Sequence, residues 1–262
     1  MRYGYYGTSG YRSFNNLNCV NFLTAVNVIP SNSETATRWS VGLLTNPVLS
    51  LFACEKYVLV DDPAAYQMAE AYEFLKHTET GDLFRNVQFL PLGLAFDRYI
   101  TEEEFLKLPA ADKPEVLLQA VVLATESEGV KAGLTQRDTA DPGQDAKNFS
   151  LSEAVAARRK TALKLTSFSQ TRIKGEVSLD QPGILVLQTP FDRGWQASQD
   201  GRAVPVLKVD VGLLGVGVEA GEHQVELRYR NVLLIPALLV TLTSLLILGA
   251  GLWRWPRLGL PA

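Results

Sequence analysis

NVLLIPALLVTLTSLLILGAGLW, residues 231–253, carries no charged side chain over about 23 positions. Its reading decides how the rest of the chain is placed. As an α-helix with 1.5 Å rise per residue it extends about 34 Å, against a bilayer hydrocarbon core of about 30 Å. Nine of these residues are Leu, joined by Ile235, Ile247, Val232 and Val240. At roughly -0.3 to -0.6 kcal/mol for each central aliphatic residue, insertion is favoured by about 4 to 8 kcal/mol. Pro236, Gly249, Gly251, Thr241, Thr243 and Ser244 erode that gain without cancelling it. Pro236 lies near the start, where a missing backbone donor costs least. A buried core helix of this length would need a polar face, and none is present. Trp253 and Trp255 suit a membrane interface. The stretch is therefore predicted to be one transmembrane helix, with a short cytoplasmic tail over 254–262. Arg228 and Arg230 precede it and Arg254 and Arg257 follow it, so the basic residues do not orient it.

Upstream of the span, Ser150 to Tyr229 reads as β-structure. Alternating or short apolar runs occur at Ala162–Phe168, Arg172–Leu179, Ile184–Gln188, Ala203–Val209, Val216–Glu219 and His223–Tyr229. Each has the length of a strand. Turn signals separate them at Asp180-Gln181-Pro182-Gly183, Asp200-Gly201 and Ala220-Gly221-Glu222. Asp200-Gly201 is the strongest, because Asp tolerates and Gly accommodates positive φ in a hairpin turn. Several short strands with regular turns predict a β-sandwich or jelly-roll-like domain over 150–230.

Residues 1–149 read as an α+β region. A short helix is expected at Asn18–Ala25, and a strand at Lys56–Val60 that Asp61-Asp62-Pro63 stops. Ala64 to His77 has apolar positions at helical spacing, with Gly81 closing the segment. Phe84 to Tyr99 is expected to form strands or extended chain, broken by Pro91 and Gly93. Thr101-Glu102-Glu103-Glu104 has the form of a capped helix start, with acidic residues near the positive end of the helix dipole. Lys113-Pro114-Glu115 opens a further helical stretch through Leu117, Leu118, Val121 and Val122. Glu126 to Phe149 reads as a long loop or linker. The fold class is thus α+β, mainly β, with one carboxy-terminal transmembrane helix.

With 262 residues the chain can bury a sizeable core. A net charge of -3 and a pI near 5.5 argue against nucleic-acid binding, which needs a clustered basic surface. The densest basic run, Arg158-Arg159-Lys160, is too short to supply one. Cys19 and Cys54 lack metal-ligand spacing; two buried thiols are the preferred reading over a disulfide. Met1-Arg2-Tyr3-Gly4-Tyr5-Tyr6 has no apolar h-region and is not a signal peptide. An extracytoplasmic position for the large domain would require something upstream to carry it across.

Thr189-Pro190-Phe191-Asp192-Arg193-Gly194-Trp195, Asp200-Gly201-Arg202, Gly215-Val216-Gly217-Val218, Ala220-Gly221-Glu222-His223-Gln224-Val225 and Leu227-Arg228-Tyr229 follow one another at a definite spacing before the span. This series resembles the carboxy-terminal region of YfhO-type bacterial membrane proteins, which are related to GT-C glycosyltransferases. Tyr5-Tyr6-Gly7, Ser13-Phe14-Asn15, Glu55-Lys56-Tyr57-Val58 and Leu90-Pro91-Leu92-Gly93-Leu94-Ala95 fit it too, so the resemblance covers nearly all of the chain. It implies transfer of sugar from a polyprenyl-phosphate carrier to a cell-envelope polymer such as teichoic acid, by a protein in the bacterial cell membrane. The many membrane helices that precede this region in the family, and the early loop with the catalytic carboxylate, are missing here. No catalytic residue is carried over, and the chain is expected to be an extracytoplasmic accessory fragment without a cofactor. Its expected partners are the bilayer, those N-terminal membrane helices, and an envelope glycan or polyprenyl-phosphate-linked sugar. Two other readings are a membrane-tethered carbohydrate-binding module without an enzyme partner and a cytoplasmic tail-anchored protein.

The candidate glycan-binding residues are Tyr5, Tyr6, Tyr11, Asp192, Arg193 and Trp195. Trp195 offers an aromatic face to a sugar, although a lid over the sandwich core is the preferred reading. Asp192 and Arg193 suit a polar ligand, or equally a turn cap and a solvated charge. Tyr3, Tyr5, Tyr6 and Tyr11 form a Gly-spaced aromatic cluster whose plainer role is packing across a sheet. His223 is expected to be structural, bonded to a loop carbonyl, since no second metal ligand lies at suitable spacing. Asn148-Phe149-Ser150 is a sequon without meaning in a bacterial protein.

Overall fold

The computed structural model describes residues 9–11, 16–30, 39–41, 46–61, 71–137 and 149–254. Strands β1 (Ser9–Tyr11) and β2 (Trp39–Val41) pair antiparallel, and helix α1 (Leu17–Ala25) lies between them in sequence. Asn16 caps α1 by accepting from the Asn18 N–H, and Asn46 does the same for α2 (Pro47–Phe52) through Val48 and Leu49. Next come β3 (Tyr57–Val60), β4 (Tyr72–Thr78) and β5 (Gly81–Asn86), an antiparallel sheet in the order β3-β5-β4. The helix expected over Ala64–His77 is corrected here: its second half is strand β4, and 64–70 lie outside the described residues. Pairing with β5 overrides helical periodicity, with Phe74 edge-on to Phe84 at 5.6 Å and Glu73 ion-paired to Arg85.

Strand β6 (Leu94–Phe96) is followed by β7 (Arg98–Thr101) and helix α3 (Glu102–Lys107). The expected cap forms as a reciprocal capping box: Thr101 Oγ1 accepts from the Glu104 N–H, and Glu104 accepts from the Thr101 N–H at 3.0 Å. Helix α4 (Lys113–Gln119) is shorter than expected. Val121 and Val122 belong to strand β8 (Val121–Leu123), as β-branched residues favour, and not to that helix. The expected linker at Glu126–Phe149 holds helix α5 (Glu126–Lys131) and strand β9 (Thr135–Gln136), with 138–148 outside the described residues. Strands β8-β7-β9 form a small parallel sheet.

Helix α6 (Leu151–Lys160), capped by Ser150, leads into the β-rich part. Its strands are β10 (Lys164–Ser169), β11 (Arg172–Leu179), β12 (Gly183–Pro190), β13 (Trp195–Gln199), β14 (Arg202–Val204), β15 (Val206–Val209), β16 (Leu213–Val218) and β17 (Gly221–Tyr229). A five-stranded sheet, β10-β11-β17-β13-β14, faces a four-stranded one, β15-β16-β12-β6. Ile173, Val177, Val225 and Leu227 of the first meet Leu185, Leu187, Leu214 and Val216 of the second. Alternate positions on each strand supply them, so the predicted sandwich follows from the period-two pattern. The single strand expected at Ala203–Val209 is two. Pro205, which cannot donate to a ladder, marks where the chain leaves one sheet for the other.

The four-stranded sheet is a middle layer. Ile184 and Val186 turn away from the sandwich into a second core with Phe22, Leu49, Phe96, Ile100, Leu117 and Val122. Burial on both faces explains why β12 reads as the continuous apolar run Ile184-Leu185-Val186-Leu187 instead of alternating. Strand β6, from the region before residue 150, is the edge strand paired with β12.

Two buried cations, Lys113 and Arg158, and two exposed ones, Arg159 and Lys160, tie the layers together. Lys113 donates to Ala25 O at 2.8 Å and Asn27 Oδ1 at 3.1 Å, satisfying the end of α1. Arg158 donates to Ala95 O and stacks 4.4 Å from the Phe96 ring centroid, while Arg159 reaches Val87 O at 2.8 Å and Phe89 O at 3.1 Å. Lys160 pairs with Asp180 at 2.6 Å. The basic run of α6 is thus a set of three separate clamps.

The β15–β16 connection is unusual. Asp210 and Val211 have φ of 47° and 64°, and the Gly212 N–H donates to Val209 O at 3.0 Å, the form of a type I′ turn. A β-branched residue is strongly disfavoured there. The turn is held because Asp210 N–H donates to Val122 O at 2.8 Å and Val122 N–H donates to Asp210 Oδ1 at 2.7 Å. Gly212 permits the close approach of α1: a Cβ there would lie 1.9 Å from Asn18 O.

Helix α7 (Leu234–Arg254) carries the predicted span. Its apolar window, Leu234–Trp253, is 20 residues long and wholly unburied against the rest of the protein, unlike a core helix. The overall class, α+β with mostly sheet and one apolar carboxy-terminal helix, is as expected.

Candidate functional site

The turn before β13 brings Asp192, Arg193 and Trp195 together at the end of the sandwich nearest α7. Asp192 Oδ1 accepts from the Gly194 N–H at 2.8 Å, and Asp192 O accepts from the Trp195 N–H at 3.1 Å. Arg230 N–H donates to Gly194 O at 2.8 Å, which locks this turn to the last residues before the span. Gly194 is required by that approach, since a Cβ would lie 2.4 Å from Arg230 O.

Trp195 pairs in register with Tyr229, and their rings meet edge to face at 5.4 Å. The indole is half-buried and packs on the inter-sheet core, the arrangement of a lid. The sequence marks Tyr229 only as the end of the Leu227-Arg228-Tyr229 series and not as a site residue; its place opposite Trp195 comes from the ladder. Burial, the Asp192 charge and a hydrogen bond to it push the Tyr229 phenol up from its ordinary pKa. Arg193 is exposed. Tyr5 and Tyr6 lie outside the described residues, and Tyr11 is described only as part of β1, opposite Trp39.

Trp195→Ala is expected to destabilise the full chain in detergent by about 2 kcal/mol, roughly half the cost of emptying a fully buried aromatic site. Urea denaturation checks this, and an unchanged midpoint would remove the lid role.

At the opposite end, the Asp200-Gly201 and Ala220-Gly221 turns flank a polar cleft of about 330 Å³ lined by Lys164, Glu176, Ser178, Asp200, Glu222 and His223. His223 Nδ1 lies 2.7 Å from Asp200 Oδ2 and Nε2 lies 3.2 Å from Ala220 O. Both partners are acceptors, which favours the protonated ring, and its pKa is raised chiefly by the Asp200 hydrogen bond. Asp200 is correspondingly lowered, first by accepting from the Gln224 N–H and then by His223. Both ring nitrogens are thus engaged by Asp200 and Ala220. The expected structural role for His223, bonded to a loop carbonyl, is the one it has.

Cys19 and Cys54 are each half-buried, and burial pushes the Cys54 thiol up to about 12. Among the described residues no three His, Cys, Asp or Glu side chains converge as metal ligands.

Comparison with curated proteins and with solved structures yields no significant match. The resemblance drawn across nearly all of the chain is matched over its later part. Residues 144–241, from before α6 through β17 and into the first two turns of α7, match the family model described as Bacterial membrane protein YfhO, so this part of the chain is similar to a YfhO-type membrane-protein region.

Proposed function

We propose that the chain is the non-catalytic, extracytoplasmic accessory portion of a GT-C-like integral membrane protein. That protein moves sugar from a polyprenyl-phosphate carrier to a cell-envelope polymer such as teichoic acid. The YfhO match over the later sandwich strands and the first two turns of α7 supports this reading. The engaged imidazole of His223 supports the non-catalytic part of it. Transfer chemistry then belongs to membrane helices that are not among these residues. The sandwich serves to position an envelope glycan beside them.

Supplied with a polyprenyl-phosphate sugar, this chain alone is expected to transfer none, and co-expression with YfhO-type membrane helices is expected to give transfer. Sugar transfer by the chain alone would end the proposal. Its orientation has a separate test in intact cells. A cysteine introduced as Arg202→Cys on β14 is expected to react with a membrane-impermeant maleimide. The native chain, which already carries Cys19 and Cys54, is the blank against which the added labelling is read. Protection of residue 202 until lysis would favour the cytoplasmic tail-anchored reading.

A further inference from the structure

The membrane-proximal end of the five-stranded sheet is held close to the start of the span. Arg230 is still hydrogen-bonded to Gly194 of the sandwich, and α7 begins at Leu234. Only Asn231, Val232 and Leu233 intervene, and Asn231 already turns the chain by accepting from the Leu233 N–H at 2.9 Å. Three residues reach at most about 10 Å. The polar headgroup layer on each side of the hydrocarbon is about 6 Å deep. The sheet end is therefore confined to the headgroup layer or its immediate edge.

That end is basic and aromatic. Arg172 and Arg228 share Glu226, and the Asp192 carboxylate is turned onto the Gly194 N–H and Tyr229. Arg193 and Arg230 are exposed and have no acidic partner among the described residues. Phe168, two residues before the β10–β11 turn, is 45% exposed at the same end, where Thr171 O accepts from the Tyr229 N–H. The far end of the sandwich carries Asp180, Asp200, Glu219 and Glu222 around its turns, with Asp180 paired to Lys160 and Asp200 to His223. In a chain of net charge -3, two exposed arginines without an acidic partner among the described residues thus face the bilayer.

We infer that this end of the sandwich docks onto anionic phospholipid headgroups, with Arg193 and Arg230 on lipid phosphates and Phe168 and Trp195 at the interface. The domain then stands upright on the membrane instead of swinging on its tether. Near an anionic surface each such cation is worth roughly a fivefold shift in favour of the docked state. Aromatic rings at headgroup level add to it without needing charge.

The full chain in nanodiscs, subjected to hydroxyl-radical footprinting, tests this. Oxidation of Phe168 is read against Phe74 on the β3–β5–β4 sheet. In discs containing phosphatidylglycerol the Phe168/Phe74 ratio is expected to fall several-fold relative to pure phosphatidylcholine discs. High salt is expected to abolish the difference. Reversal of both charges, Arg193→Glu with Arg230→Glu, is expected to shift the docking equilibrium by more than 25-fold, the factor for losing two cations. Arg193→Lys with Arg230→Lys is expected to keep the effect. Slow oxidation of buried Tyr99 verifies that each variant is folded. Equal ratios in the two lipids overturn the inference, as does an unchanged fall in the folded charge-reversed variant. The same fall produced by inorganic phosphate over phosphatidylcholine would assign the site to a soluble anion and overturn it too.

Discussion

Asp210→Asn is expected to be the more stable protein near pH 8 and to lose its advantage near pH 4. Asp210 is 1% exposed, one carboxylate oxygen accepts from the Val122 N–H, and Oδ2 has no hydrogen-bond partner among the described residues. Burial raises its pKa from 3.8 to about 7, against the smaller opposing effect of the Val122 bond. Below the unfolded value both states hold the proton and the contribution to stability is complete. As pH rises the unfolded chain releases its proton first, so stability falls through the window from about 4 to about 7. A shift of about three units corresponds at most to about 4 kcal/mol. Asn keeps the acceptor for Val122, tolerates positive φ and never acquires the charge. Denaturation free energies at several pH values, measured on both proteins, check it. Identical pH slopes would show that Asp210 is not the titrating group. His223 contributes a separate loss in the same direction, starting near 6.5 and passing through its raised folded value, and the Asn variant retains that part.

Phe96→Ala is expected to cost about 3–5 kcal/mol, the range for emptying a fully buried aromatic site. The ring is 1% exposed, lies on the edge strand β6 against β12, and carries the Arg158 guanidinium on its face at 4.4 Å. Removing it opens a cavity and strips a buried cation of its π partner, when Arg158 Nε already lacks a hydrogen-bond acceptor among the described residues. Phe96→Leu fills most of the volume and is expected to lose less than half as much. Urea midpoints for the two variants separate packing from side-chain identity. Equal losses would mean that the cavity is not the cause.

The parts of the fold visible in the sequence were those set by local pattern. Alternation gave β11 and β17, the Asp200-Gly201 pair gave its hairpin, and Thr101 with Glu104 gave a helix start. The missing elements were those decided by distant partners. Strand β4 has helical spacing and becomes a strand through β5, while β6 is only three residues long and is defined by β12. Val121 and Val122 followed a helical run and were absorbed into it, although their branching already favoured β. Of the candidate residues, Asp192 and Trp195 share one turn, as a conspicuous Gly-Trp turn suggests. The packing role of Tyr229 and the Asp210 turn are not visible in the sequence: one is an ordinary strand residue, and the other turns the chain with Val where the usual signal is Gly.

The doubly covered sheet also constrains how the chain reaches its final state. Phe96 must wait for Ile184, and pairing them closes a loop of about 90 residues. Contacts so far apart in sequence form slowly. During synthesis Phe22, Leu49 and Leu117 emerge long before the aliphatic face of β12 that completes their packing. The interval in which the ribosome is still making the sandwich is therefore when the early half is most open to aggregation and most dependent on chaperones.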